Sequence, residues 1–132
     1  MKKKYMTQEE KSLLLQDLCT RLPYGIHVEI SWEYSKTDVH TGLEYYKFPN
    51  IDSLLNIFWD KKCISIKPYL RPISSMTEEE ALRFEGFKMK AINSVNIPNS
   101  IELIDWLNAH HFDYRGLIEK GLALEALKGM YK

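Results

Sequence analysis

The chain has 132 residues, 45% of them apolar and 12% aromatic, which is enough apolar surface for one core and excludes disorder over most of its length. Eighteen basic residues balance eighteen acidic ones, so the formal charge is zero and the pI is near 6.9. A neutral chain has no long-range field drawing it to nucleic acid or an anionic membrane, which leaves only local patches for such contacts.

Met1-Lys2-Lys3-Lys4-Tyr5 carries the charge of a signal peptide's first segment, but Thr7 to Ser12 is polar where an apolar stretch should follow. Asp17 and Leu18 stand where a lipoprotein signal ending at Cys19 needs small residues. No window approaches the roughly 20 apolar residues of a membrane-spanning helix. These features predict a cytoplasmic protein in which Cys19 and Cys63 stay free thiols.

The first predicted element is a helix from about Thr7 to Leu22. Thr7 and Glu10 have capping-box spacing, and Leu15, Leu18, Cys19 and Leu22 recur on one face, which assigns Cys19 to the core. Pro23 ends this helix and Tyr24-Gly25 turns the chain. Ile26, Val28, Ile30, Trp32 and Tyr34 then alternate with His27, Glu29, Ser31, Glu33 and Ser35. A period of two with one polar face predicts a half-buried strand of an antiparallel sheet. A turn from Ser35 to Asp38 leads to a second strand, Val39 to Phe48, with Gly42 marking a bulge. After a turn from Pro49 to Asp52, the runs Leu54 to Trp59 and Cys63 to Lys67 read as a hairpin joined at Asp60-Lys61-Lys62. The expected sheet is a four-stranded antiparallel meander, either flat or curled into a small open barrel.

Pro68-Tyr69-Leu70-Arg71-Pro72 reads as an extended connector, because each proline biases its predecessor away from helix. Thr77 and Glu80 repeat the capping box before a helix to about Ile92, with Ala81, Phe84, Phe87 and Ala91 inward and Gly86 weakening it by about 1 kcal/mol. Asn93 to Asn99 is read as a loop, and Ser100 caps a short helix over Ile101 to Asn108. Asp113 caps a last helical segment from Tyr114 to Lys120, ended by Gly121. The expected architecture is a single α+β domain over 1–132: an N-terminal helix, the meander, then two to three C-terminal helices.

Three stretches carry a resemblance. They are Met6-Thr7-Gln8-Glu9-Glu10-Lys11 through Leu22-Pro23-Tyr24-Gly25, then Lys67-Pro68-Tyr69-Leu70-Arg71-Pro72 through Met76-Thr77-Glu78-Glu79-Glu80, and the run from Asp105 to Ala126. Together they resemble a family of small uncharacterised proteins of gut anaerobic bacteria and their phages or prophages. The resemblance implies a mobile element inside a bacterial cell as the setting; it carries no activity and transfers no site residue. Matching Met6 to the family's start implies that Met1 to Tyr5 is a basic extension outside the fold.

His110-His111-Phe112-Asp113 is the densest group of metal-ligand side chains. Helical metal ligands sit at i and i+4, whereas adjacent histidines point about 100° apart, so a metal-dependent hydrolase built on His110, His111 and Asp113 needs the chain to bend. His110 also follows Leu103, Trp106 and Leu107 at core spacing, and Asp113 reads as a cap. Asp105, His111, Asp113 and Arg115 hold the ingredients of an acid–base group. No GxSxG, HExxH, Walker loop, GxGxxG or CxxC occurs, so no catalytic residue and no cofactor is assigned. A nucleic-acid reading stacks unpaired bases on Tyr45 and Tyr46, with Lys47, Lys61 and Lys62 on phosphates. Trp32 and Tyr34 share the face of Ile26, Val28 and Ile30, which together with zero net charge weighs against that reading. A protein-binding reading uses Tyr69, Leu70 and Arg71, presented by the connector, because Tyr and Arg anchor interfaces. The sequence therefore points first to a non-enzymatic module that binds another protein or itself, ahead of single-stranded nucleic-acid binding and metal-dependent hydrolysis.

Overall fold

Thr7 opens the first helix, α1 (Gln8–Arg21): its hydroxyl accepts from the Glu10 amide at 3.1 Å, and the Glu10 carboxylate accepts from the Thr7 amide at 2.8 Å. The structure is a computed structural model that describes residues 5–35, 37–49, 51–93 and 97–131. Met1 to Lys4 of the extension expected over Met1 to Tyr5, the turn residues Lys36 and Asn50, and Ser94 to Asn96 of the expected loop lie outside those residues.

Leu14, Leu18 and Leu22 form the buried stripe of α1, and Cys19, expected in the core, is exposed. The stripe is rotated because Asp17 and Arg21, spaced to pair, are buried with the leucines. Arg21 Nε donates to Asp17 Oδ2 at 2.8 Å and Nη2 to Oδ1 at 3.0 Å, and Nη2 also donates to the Phe112 carbonyl at 2.8 Å. Arg115 Nε lies 3.7 Å from the same Asp17 carboxylate. Charge thus marks an inner face here.

In β1 (Ile26–Ser35), Ile26, Val28 and Ile30 are buried and Trp32 is half-buried, as the alternation predicts. Tyr34 departs from that face and is 70% exposed, because the register slips between Glu33 and Ser35. Antiparallel to β1 runs β2 (Asp38–Tyr46), in unbroken register through Ile30↔Gly42, so the bulge expected at Gly42 lies at the hairpin end instead. The Trp32 ring fills the space beside Gly42; a Cβ there would meet it at 3.4 Å.

The run expected as a strand from Leu54 to Trp59 is helical: α2 spans Ile51–Phe58. Leu54 and Phe58, one turn apart, are both buried, so a helical period buries this segment where alternation would expose half of it. The next strand, β3 (Cys63–Leu70), consequently pairs with β1, with Ile30↔Ile66 and Glu29↔Lys67 opposite. The expected connector is its continuation, since proline's extended bias suits a strand equally well. A two-residue strand, β4 (Leu124–Glu125), lies parallel to β3 at Tyr69↔Leu124. The sheet order is β2-β1-β3-β4, mostly antiparallel and open, within an α+β fold that begins with a helix as expected.

Thr77 and Glu80 form the second capping box, opening α3 (Glu78–Asn93). α4 spans Ile97–Ala109, starting earlier than expected because Pro98 fits a helix's first turn. Phe84 and Phe87 lie 6.3 and 5.6 Å from the Trp106 ring, joining α3 to α4, whereas Ala81 is exposed. The helix expected from Tyr114 to Lys120 is a run of turns, because Gly116 adopts φ +72°. Asp113 still caps it, accepting from the Leu117 and Ile118 amides at 2.9 and 3.0 Å. The main core lies between α1, α2 and the sheet, while Trp106, Leu107 and Phe112 centre a second cluster under α3. Among the described residues, no helix is long and apolar enough to cross a membrane.

Candidate functional site

Because α2 occupies the place expected of a third meander strand, β2 is left at the margin of the sheet. Among the described residues no strand pairs with its outer side. Alternate residues of an edge strand turn their N–H and C=O groups away from the sheet, ready to bond another strand. Nine residues make this edge roughly 30 Å long. Val39, Leu43 and Tyr45 share the face opposite the core and are 44%, 55% and 50% exposed. His40 and Glu44 project on the other face beside Gly42, and His40 Nε2 lies 3.3 Å from Asp38 Oδ2. Apolar side chains on an unpaired edge expose both kinds of group that strand addition satisfies, backbone polar and side-chain apolar.

Beyond Tyr45 the outer face of the sheet falls into an open cleft of about 990 Å³, between the start of β1, the N-terminus of α3 and the C-terminal segment. Tyr131 holds that segment down: its hydroxyl accepts from the His27 amide at 3.0 Å and donates to the Tyr69 carbonyl at 2.8 Å. The Tyr131 ring stacks on His111 with centroids 3.6 Å apart, and burial pushes its phenol pKa well up. Burial likewise holds the His111 imidazole down to about 4, with the nearby Arg21 charge acting in the same direction. On the opposite wall Arg71 donates twice to the Glu80 carboxylate, at 2.8 and 2.6 Å, which holds Glu80 down to about 2. The charged groups of this wall are spent on each other.

The three residues expected to bind protein are distributed inward. Leu70 is fully buried in the core, and Arg71 lies 4.2 Å over the Phe112 ring while paired to Glu80. Tyr69 is half-buried, with its hydroxyl 3.4 Å from the Glu29 carboxylate. His110, His111 and Asp113 do not converge. His110 Nδ1–H donates to the Trp106 carbonyl at 2.9 Å, His111 stacks on Tyr131, and both Asp113 oxygens accept backbone amides. Among the described residues no three His, Cys, Asp or Glu side chains form a metal-ligand group. Of the expected nucleic-acid set, Tyr46 is buried in the core. Tyr45 and Lys47 lie beside the Ile26 end of β1, whereas Lys61 and Lys62 lie beside its Trp32 end, on the order of 20 Å away. The exposed tyrosine and the distal lysines share no patch.

No protein-family model matches the chain, and comparisons with curated proteins and with solved structures return no match. The β2 edge escaped the sequence reading because the meander it predicts encloses β2 between two strands. The signal was present in the spacing of Leu54 and Phe58, which fits a helix and removes the enclosing strand.

Proposed function

We propose that this chain is a non-enzymatic protein-interaction module that takes its partner as an added strand along β2. The observation that supports this reading is the nine-residue unpaired edge carrying three half-exposed apolar side chains, Val39, Leu43 and Tyr45. Backbone hydrogen bonds along the edge supply affinity, and the alternating side chains supply selectivity. The setting is that implied by the resemblance, a mobile element acting inside a bacterial cell. His110, His111 and Asp113, each engaged in stacking, backbone bonding or capping, are structural in this reading. Affinity capture with the wild-type chain and with Leu43→Lys tests it, circular dichroism confirming that both are folded. A lysine at this position forfeits part of the roughly 1.5–3 kcal/mol that full burial of a leucine supplies, so bound protein should fall about threefold or more. Equal recovery by both chains refutes the reading.

A further inference from the structure

The strand that completes β2 can be read from β2 itself. We infer that the occupant of this edge is a second copy of the chain, paired antiparallel about a two-fold axis through Gly42; this rests on the strand-edge reading above. A two-fold axis normal to the sheet keeps each face on its own side, so odd residues oppose odd ones and even residues oppose even ones. Centred on Gly42, the register sets Val39 against Tyr45 and Thr41 against Leu43 on the outer face, twice each. These are β-branched–aromatic and β-branched–aliphatic pairs of the kind that stabilise adjacent strands. On the inner face His40 opposes Glu44 of the second copy, an imidazole N–H donor against a carboxylate, again twice. Shifting the axis to Thr41 opposes Asp38 to Glu44, two like charges, while shifting it to Leu43 sets Gly42 against Glu44 and Val39 against Lys47. The central register pairs these three sets compatibly and leaves Asp38 opposite Tyr46, whereas each shift sets like charges together or an apolar residue against a charge.

Gly42 fits the same geometry. A glycine inside a regular strand weakens it unless another group needs the room. Here the Trp32 ring leans over Gly42, and at the axis the two Trp32 rings would cover a Gly42–Gly42 pair, shielding the junction from water. The result is one sheet running through both copies, in which Val39, Leu43 and Tyr45 gain cross-strand neighbours and lose part of the exposure they have in the single chain. The chain's zero net charge removes the long-range repulsion that two identical charged copies would feel.

The test places cysteines on the edge of the full chain in a Cys19→Ser background, with oxidised glutathione as oxidant; two thiols become one disulfide as glutathione is reduced. Opposed side chains have Cβ atoms about 5 Å apart and diagonal ones about 7–8 Å, so only opposed positions link readily. Gly42→Cys should give a covalent dimer at least about tenfold faster than Thr41→Cys or Leu43→Cys alone. Mixing those two single variants should restore fast linking, which covers the case that Gly42→Cys folds poorly beside Trp32. Sedimentation of the wild-type chain should show twice the monomer mass, falling to monomer in Leu43→Lys. A monomer at all concentrations, or equal linking at all three positions, overturns self-pairing. The strand-edge reading would then stand or fall on the capture comparison alone. A dimer that persists unweakened in Leu43→Lys places the contact between copies elsewhere and likewise overturns self-pairing along β2.

Discussion

Asp17 is the residue whose removal should be felt most. It and Arg21 are fully buried, and the carboxylate accepts two hydrogen bonds from that guanidinium while Arg115 stands 3.7 Å away. Asp17→Ala leaves Arg21 in the interior with the Phe112 carbonyl as its remaining hydrogen-bond partner, and with a second guanidinium whose charge is no longer offset. Removing one member of a buried ion pair typically costs about 3–5 kcal/mol, because the other charge stays dry and uncompensated. Against a total stability of about 5–15 kcal/mol, this is roughly a fifth or more of what holds the fold. For a chain of this size it corresponds to a fall in Tm of roughly 10–20 °C. Replacing both members, Asp17→Leu with Arg21→Met, removes both desolvated charges and should cost markedly less than Asp17→Ala alone. Urea unfolding followed by tryptophan fluorescence measures all three proteins. An Asp17→Ala chain within about 1 kcal/mol of wild type, or less damaged than the double variant, would refute the assignment of this pair as a buried anchor.

Two further outcomes follow from the cleft. Burial holds the folded His111 at about 4, below its ordinary value of 6.5, so the unfolded chain takes up the proton first. The stabilisation is complete above about pH 6.5 and is lost as pH falls toward 4. His111→Asn, which tolerates the positive φ of 62°, should flatten the acid limb of a stability–pH curve over that window; coincident slopes would contradict it. Gly25 has φ +82°, and a Cβ there would fall on the Tyr45 hydroxyl and within 2.6 Å of its Cζ. Gly25→Ala should therefore cost about 1–3 kcal/mol in thermal unfolding and displace Tyr45 from His27, a shift visible in the His27 ring proton resonances; unmoved resonances would refute that packing.

Much of the framework is legible in local chemistry. Both capping boxes and the inward set Ile26, Val28 and Ile30 depend on residues within one turn or one strand of each other and are found as read, while Asp113 accepts the expected amides over turns instead of a helix. Partners distant in sequence left weaker traces. Leu54 to Trp59 is apolar enough for either a strand or a helix, and only packing against the core selects the helix. The spacing of Leu15, Leu18, Cys19 and Leu22 predicts Cys19 inside, whereas the buried face turns toward Arg21, which reaches inward to the Phe112 carbonyl, 91 residues further along the chain. For the candidate site, the side chains of β2 were readable but its place at the margin was not, since that depends on which strand β3 chooses.

The two sides of the sheet are unequal. One margin is a long strand with bonding capacity along its length; the other is β4, two residues running parallel and followed at once by the segment that Tyr131 ties down. β4 covers only Tyr69 and Leu70 of β3, and its own two residues offer an incoming strand little to bond. A strand joined at β2 would thus meet a short margin at the far side of the sheet, which lessens the usual hazard of runaway stacking for a chain with a sticky edge.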